Sequence, residues 1–243
     1  MLRLFIVCFI CLLVSATASA ENYNKPSIEN LIKTVIRFDA LDIKDDSVID
    51  EYTMITDCKI YQSFYGDDFK WNKVRGIMRQ SIAMNIATFP TSYYFQTKLN
   101  LDRYDFNNKI FSFTKESAIM NVNTFMLYQV DDVGCNGRLI RFIPKTYYLV
   151  LDSPLVIPGL PLAEADAKAL LQRMVSSNNK TRSIHARFNF RVVYVEPLRR
   201  VNDTKAYVQA GAKVDGLRLD GRLDTIDFYE DEALTKLIYT YRP

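Results

Sequence analysis

The sequence predicts an α+β fold, with an N-terminal helical layer followed by a largely antiparallel β-sheet that contains one inserted helix. Apolar residues recur at helical spacing through residues 27–89. From Pro90 onward they alternate with polar residues, which is typical of half-buried strands. Helices first and strands afterwards favour the α+β class. We expect residues 21–243 to form a single domain, with a helical part over 27–89 and a β-rich part over 90–243.

Three helices are predicted before the sheet and one within it. Ser27 is a suitable N-cap for the first helix, in which Ile28, Leu31 and Val35 share one face. The second helix runs to the turn at Gly66-Asp67-Asp68, and the third ends at Phe89-Pro90. The inserted helix follows Pro161, because proline is favoured at the start of helices.

The β-rich part contains alternating apolar and polar residues or runs rich in β-branched and aromatic residues. The strands predicted from them are 93–101, 109–113, 124–130, 139–143, 147–151, 184–194, 206–214, 226–228 and 237–241. Between them, Asp131-Asp132-Val133-Gly134 is typical of a turn, and Asp215-Gly216 and Asp220-Gly221 are typical of turns or bulges.

The first twenty residues have the pattern of a secretory signal peptide. A basic start at Arg3 precedes an apolar run over 4–14, and small residues follow up to Ala20. This order of charge, apolar core and small-residue cleavage site is typical of export signals. The apolar run is shorter than the roughly 20 residues that a membrane span needs. We therefore expect cleavage between Ala20 and Glu21, a periplasmic or secreted location, and no integral membrane segment after removal of the signal.

Two cysteines remain after that cleavage. Cys8 and Cys11 leave with the signal, while Cys58 and Cys135 stay in the mature chain. In an oxidising compartment they can form one disulfide bond, and the alternative is two buried free thiols.

Composition excludes some classes of protein. The chain is 49% hydrophobic and 24% charged, which is typical of a globular protein and not of a disordered one. Its net charge is +3, and loss of Arg3 with the signal leaves +2. This balance does not favour nucleic acid as a partner.

Catalytic and cofactor motifs are not evident. His185 is the only histidine, so one chain cannot supply a multi-histidine metal site, and we expect no cofactor. The chain has no Gly-x-Ser-x-Gly elbow, P-loop or Gly-x-Gly-x-x-Gly sequence. If the protein is an enzyme, carboxylates such as Asp105 or Asp224 are the candidates for acid–base chemistry.

Basic residues concentrate late in the chain. Residues 180–222 contain ten Lys and Arg against four Asp and Glu. Arg187 and Arg191 would lie on one face of a strand, with Phe188 and Phe190 behind them. A guanidinium pair of this kind suits a carboxylate or phosphate, so the two arginines are a candidate face for docking an anion. The alternative is a structural face whose arginines pair with acids from residues 223–232.

Three segments resemble an uncharacterised family of exported bacterial proteins. They are Phe69-Lys70-Trp71-Asn72-Lys73-Val74-Arg75, Phe89-Pro90-Thr91, and Arg103-Tyr104-Asp105-Phe106 continuing to Phe111. The resemblance covers residues 50–115, with a looser match over 161–191. It implies an envelope location, no known activity and no site residues.

These observations favour an exported, non-enzymatic protein that binds another envelope or extracellular component, either a protein or an anionic ligand. An envelope hydrolase or transferase that uses carboxylates is the alternative.

Overall fold

A computed structural model describes residues 22–130, 135–177, 179–197, 199–201, 206–208 and 216–243. The predicted signal peptide, with its cleavage site between Ala20 and Glu21, lies outside these residues. So do the turn predicted at 131–134 and most of the strand predicted at 206–214. No helix in the described ranges is long and apolar enough to cross a membrane.

The described residues contain five α-helices, four before the sheet and one within it. They are α1 (Ile28–Arg37), α2 (Asp46–Thr56), α3 (Cys58–Phe64), α4 (Asp68–Asn85) and α5 (Glu164–Ser176). The predicted order of a helical part, a sheet and an inserted helix is therefore confirmed.

The second predicted helix is wrong in one respect, because it is broken into α2 and α3 at Asp57. The N–H of Asp57 donates to the carbonyl of Thr53 at 2.8 Å, which completes the last turn of α2. Its carboxylate accepts the N–H of Ile60 at 3.0 Å and so caps the start of α3. One aspartate thus ends a helix and begins the next.

Within the described residues, eight strands form one sheet and two short strands form another. They are β1 (Ser92–Asp105), β2 (Ile110–Phe113), β3 (Ile119–Gln129), β4 (Thr146–Ile157), β5 (Gly159–Pro161), β6 (Ser183–Val195), β7 (Arg199–Val201), β8 (Ala206–Val208), β9 (Leu217–Tyr229) and β10 (Leu237–Tyr241). The large sheet has the order β3-β4-β9-β6-β1-β2-β5, with β10 paired to β9.

Pairing within the large sheet is antiparallel except between β4 and β9, which run parallel. The sheet is therefore largely antiparallel, as predicted. Asp220-Gly221 lies inside β9 and is not a turn. It sits where the register with β6 shifts between Val192 and Tyr194, so the bulge alternative describes it correctly.

A continuous group of buried apolar side chains joins the helices to the sheet. Leu31, Ile32 and Val35 of α1 are fully buried, as the helical spacing requires. Tyr93 of β1 is also fully buried, and its hydroxyl donates to the carbonyl of Asn30 at 2.8 Å. This hydrogen bond connects the helical layer to the middle of the sheet.

The strand predicted over 139–143 is wrong. Residues 138–143 have no strand structure and lie against α2 and α3. The reason is Glu51 on α2. Its carboxylate accepts the backbone N–H groups of residues 141–143, which would otherwise pair with a neighbouring strand.

Candidate binding site

A half-open groove of about 430 Å³ lies between α2, α3 and residues 138–142. We call it the α2–α3 groove. It is lined by Ser47, Asp50, Glu51, Met54, Tyr61, Tyr65, Arg138, Leu139, Arg141 and Phe142. Its volume falls within the range of small-molecule and cofactor sites.

Glu51 holds one side of the groove in place. Its side chain projects from α2 and is only 6% exposed. The carboxylate accepts the backbone N–H of Phe142 at 2.8 Å and of Ile143 at 2.9 Å, and also that of Arg141. Buried backbone groups need partners, and here a single carboxylate satisfies three of them. Residues 141–143 therefore do not need a neighbouring strand.

Burial raises the pKa of the Glu51 carboxyl above its ordinary value. The three N–H donors and the charge of Lys145 oppose this rise, but burial is the larger effect. The carboxyl is thus more easily protonated in the folded protein than in the unfolded chain.

Cys58 and Cys135 hold the other end of the same segment. Cys58 is the first residue of α3, and Cys135 begins a short 3-10 turn over Cys135–Gly137. Their sulfur atoms are at disulfide-bonding distance and their Cα atoms are 5.5 Å apart, which is typical of a disulfide. Residues 135–143 are therefore attached to α3 at one end and to α2 at the other.

The aromatic wall of the groove is formed by Tyr61 and Tyr65, and the buried Trp71 packs against both. The two tyrosines are four residues apart, and their rings stack with centroids 4.4 Å apart. Trp71 packs edge-on against both rings, at 5.4 Å from Tyr61 and 5.1 Å from Tyr65. Such arrangements are favourable beyond the apolar area that they bury.

Arg138 covers this wall. Its guanidinium carbon lies 4.5 Å from the Tyr65 ring centroid and 5.3 Å from that of Tyr61, within cation–π range. Its Nη1 donates to the hydroxyl of Tyr61 at 2.8 Å. Burial, together with the neighbouring Tyr65, raises the pKa of Tyr61 to about 12, so this hydroxyl is neutral at physiological pH.

The acids of the groove are already engaged. Asp50 accepts the indole N–H of Trp71 at 2.8 Å and the Nε–H of Arg75 at 2.7 Å. Glu51 is held by backbone N–H groups. Arg138 and Arg141 are exposed, and neither makes an ion pair with an acid among the described residues. The open rim of the groove therefore carries cationic charge available to an anion.

The groove falls within a recognised family region. A family model described as a domain of unknown function (DUF4852) matches residues 45–173. The chain belongs to the DUF4852 family. The expected membership of an uncharacterised family is thus confirmed, and the resemblance noted at 50–115 lies within the DUF4852 match. No curated protein and no solved structure matches the chain significantly.

Arg187 and Arg191, the predicted anion-docking face, lie beyond the DUF4852 match. They are on one face of β6, with Phe188 and Phe190 buried on the other side. Arg191 binds the carboxylate of Asp224 through two nitrogens, with the shortest distance 2.7 Å.

Arg187 has a different set of contacts. Its guanidinium lies 4.0 Å from the Tyr94 ring centroid, and its Nε–H donates to Asn189 at 3.0 Å. Both arginines thus have partners on the sheet, and anion docking at this face stays a prediction.

The structure does not bring the candidate carboxylates together. Asp105 ends β1 and accepts the backbone N–H of Asn107 and Asn108, which holds a turn. The bond from Asn108 lowers the pKa of the Asp105 carboxyl. Asp224 lies on β9, which β6 separates from β1, and it is paired with Arg191 of β6, the residue opposite Ser92 at the start of β1.

His185 lines a separate polar groove of about 540 Å³ with Glu230 and Glu232. Among the described parts of the chain, no group of three His, Cys, Asp or Glu residues is arranged to hold a metal ion.

Sequence reasoning missed Tyr61, Tyr65 and Arg138 as site residues. The predicted pairing of Cys58 with Cys135 contained the necessary signal. Tyr61 and Arg138 each follow one of these cysteines by three residues, so the pairing brings them close to each other.

Proposed function

We propose that the chain is an exported, non-enzymatic protein that binds another envelope or extracellular component through the α2–α3 groove. Its partner presents an anionic group to the rim of the groove. The location is periplasmic or secreted, and residues 21–243 act as one domain.

One observation carries this proposal: Arg138 is exposed over two tyrosines and makes no ion pair with an acid among the described residues. A guanidinium positioned in this way retains free N–H donors, and a carboxylate or phosphate matches their geometry. Its cation–π contacts with Tyr61 and Tyr65 and its hydrogen bond to the Tyr61 hydroxyl restrict its orientation, which reduces the entropy lost on binding. Arg141 at the same rim adds a second positive charge.

Export is supported by two independent features. Residues 1–20 have the charge, apolar run and small-residue site of a signal peptide. Cys58 and Cys135, the cysteines that remain after its removal, are at disulfide distance. Structural disulfides persist in oxidising compartments, so this pair suits a protein outside the cytoplasm.

Binding without catalysis is supported by the state of the acids. Asp50, Glu51 and Asp224 are each engaged with donors from the protein, and Asp105 holds an exposed turn. A hydrolase or transferase of the alternative type needs two carboxylates that converge on one substrate. Asp105 and Asp224 do not meet this condition.

An affinity-capture comparison tests the proposal. Protein beginning at Glu21 is immobilised and exposed to an envelope or extracellular fraction, beside the double variant Arg138→Ala, Arg141→Ala. Arg103→Ala is the matched control, since Arg103 is exposed and does not line the groove. The wild type and the control should retain a component that the double variant loses, and salt should weaken its retention. Equal retention by all three proteins would reject the groove as the site.

A further inference from the structure

The guanidinium carbon of Arg138 lies over the rings of Tyr65 and Tyr61, 4.5 Å from the nearer centroid. Because Arg138 is exposed, the side of the guanidinium away from these two rings is accessible to solvent. Guanidinium groups stack favourably on aromatic rings, so this accessible side can receive a second flat ring.

The N–H donors of the Arg138 guanidinium are suited to bind an anion. One nitrogen of Arg138 is committed to the Tyr61 hydroxyl at 2.8 Å, and the others have no hydrogen-bond partner among the described residues. Arg141 lies at the same rim and uses its backbone N–H, but not its side chain, to hold Glu51. A carboxylate can bind these donors with charge-assisted hydrogen bonds.

Apolar side chains complete the wall. Leu139 is 51% exposed, which is high for a large apolar residue, and Phe142 is partly buried beside it. Met54 lies beneath them as part of the core. A ligand with an apolar ring would remove this surface from water, and burial of apolar area is favourable.

We infer that the α2–α3 groove recognises an aromatic ring that carries a carboxylate or lies beside one, with the ring stacked on Arg138 and the carboxylate bound by Arg138 and Arg141. This inference rests on the proposed function and names the chemical class of the partner group. The same chemistry is found in a small aryl acid and in a peptide with adjacent acidic and aromatic side chains. A groove of about 430 Å³ accommodates either group.

The chain supplies its own reporter for a binding test. Trp71 is the only tryptophan in the sequence, and its ring contacts both tyrosines beneath Arg138. Its fluorescence, excited at the red edge of tryptophan absorption, should change when the groove is occupied. Four probes separate the contribution of the aromatic ring from that of the carboxylate. Benzoate has both, and benzamide has the aromatic ring without the charge. Cyclohexanecarboxylate has the charge on a non-aromatic ring, and acetate has the charge alone.

We expect benzoate to bind about tenfold more tightly than each of the other probes, since each lacks one favourable contact. Arg138→Ala should weaken benzoate binding by about tenfold. Arg138→Lys keeps the charge but removes the planar stacking surface, so it should bind benzoate and cyclohexanecarboxylate equally. Arg103→Ala is the control and should match the wild type.

Equal affinity for benzoate, cyclohexanecarboxylate and acetate in the wild type would overturn the inference. A benzoate preference that persists in Arg138→Lys would also overturn it. If the captured component depends on Arg138 but benzoate shows no preference, the proposed function stands and this inference falls. If neither the capture nor the benzoate affinity depends on Arg138, both fall.

A competition arm distinguishes the two sources of the ligand. N-acetyl-Asp-Phe-amide competing with benzoate more strongly than N-acetyl-Asn-Phe-amide would support the inference and assign the group to a peptide. Failure of both dipeptides to compete, with the benzoate preference intact, would support it with a small aryl acid as the ligand.

Discussion

The carboxylate of Glu51 accepts the backbone N–H of Phe142 at 2.8 Å, across 91 residues of sequence. This contact, with those to Arg141 and Ile143, holds residues 141–143 against α2. Arg138 lies on the same segment, between this attachment and Cys135. The position of the proposed ligand-binding arginine therefore depends on a buried acid that is not itself expected to touch the ligand.

Replacing Glu51 with Gln should destabilise the fold. The amide can accept hydrogen bonds through one oxygen only, and its NH2 group would face backbone N–H donors. We expect Glu51→Gln to lower the free energy of unfolding by about 1–3 kcal/mol at neutral pH, as for a buried donor left without a partner. Denaturant titration measures this, with the exposed Glu116→Gln as the control. Equal losses in the two variants would contradict the role of Glu51.

The difference in stability between the wild type and Glu51→Gln should depend on pH, and the pKa of Glu51 gives the direction. The pKa of Glu51 is raised in the folded protein from its ordinary value of 4.5, so the folded state binds the proton more tightly than the unfolded chain. The resulting stabilisation is present below pH 4.5 and is lost as the pH rises through the folded-state pKa.

Glu51→Gln lacks this titration. The stability of the wild type relative to Glu51→Gln should therefore fall as pH increases through the same window. Denaturant titrations of both proteins across that window measure the trend. If the wild type instead becomes more stable relative to Glu51→Gln as the pH rises, the backbone donors lower the pKa of Glu51 by more than burial raises it.

The Cys58–Cys135 pair should be oxidised in exported protein. Denatured mature chain should show no reactive thiol before reduction and two afterwards, since Cys58 and Cys135 are the only cysteines beyond residue 20. The double variant Cys58→Ser, Cys135→Ser should lose about 4 kcal/mol of stability in the chain-entropy model. It should also alter the near-ultraviolet circular dichroism of the Tyr61–Tyr65–Trp71 cluster. Equal thiol counts before and after reduction would refute the bond.

The exported protein should begin at Glu21. The signal pattern over residues 1–20 motivates this prediction. Intact-mass measurement of protein recovered outside the cytoplasm tests it. A mass that includes residues 1–20 would show that the segment is retained.

Gly159 should tolerate no side chain. A Cβ added there would lie 2.0 Å from the carbonyl oxygen of Phe111 on the neighbouring strand β2. Gly159→Ala should therefore lower the free energy of unfolding by more than about 3 kcal/mol or prevent folding. Gly76→Ala is the control, because Gly76 lies in α4 with no atom within 4 Å of the added Cβ. It should raise stability by about 0.5–1 kcal/mol. Similar stability changes in the two variants would contradict the register of β2 and β5.

Most of the fold could be predicted because side-chain periodicity reports burial. In β6, Ala186, Phe188 and Phe190 are buried, while Arg187 and Arg191 on the other face are partly exposed. The helical spacing in α1 places Leu31 and Val35 in the core for the same reason. Periodicity failed at residues 139–143, where long-range hydrogen bonds from Glu51 decide the backbone conformation. Periodicity also failed at Asp57, because the spacing of apolar residues does not show that a capping side chain divides the helix.

The candidate site could be predicted only in part. The Cys58–Cys135 pairing followed from the export signal and the count of remaining cysteines. The cation–π contact of Arg138 with Tyr65 did not, because it depends on how two segments more than 70 residues apart meet. The basic character of residues 180–222 predicts a cationic face at Arg187 and Arg191, but the contacts of these arginines on the sheet cannot be inferred from charge counts.

The affinity of the captured partner for two double variants tests the central claim most directly. Arg138→Ala, Arg141→Ala removes the cations of the α2–α3 groove, while Arg187→Ala, Arg191→Ala removes those of the β6 face. Our account predicts a loss of at least about tenfold in affinity for the groove variant and a change of less than about twofold for the β6 variant. A partner that binds the groove variant normally and the β6 variant weakly would contradict it, and would make the sheet face the docking site.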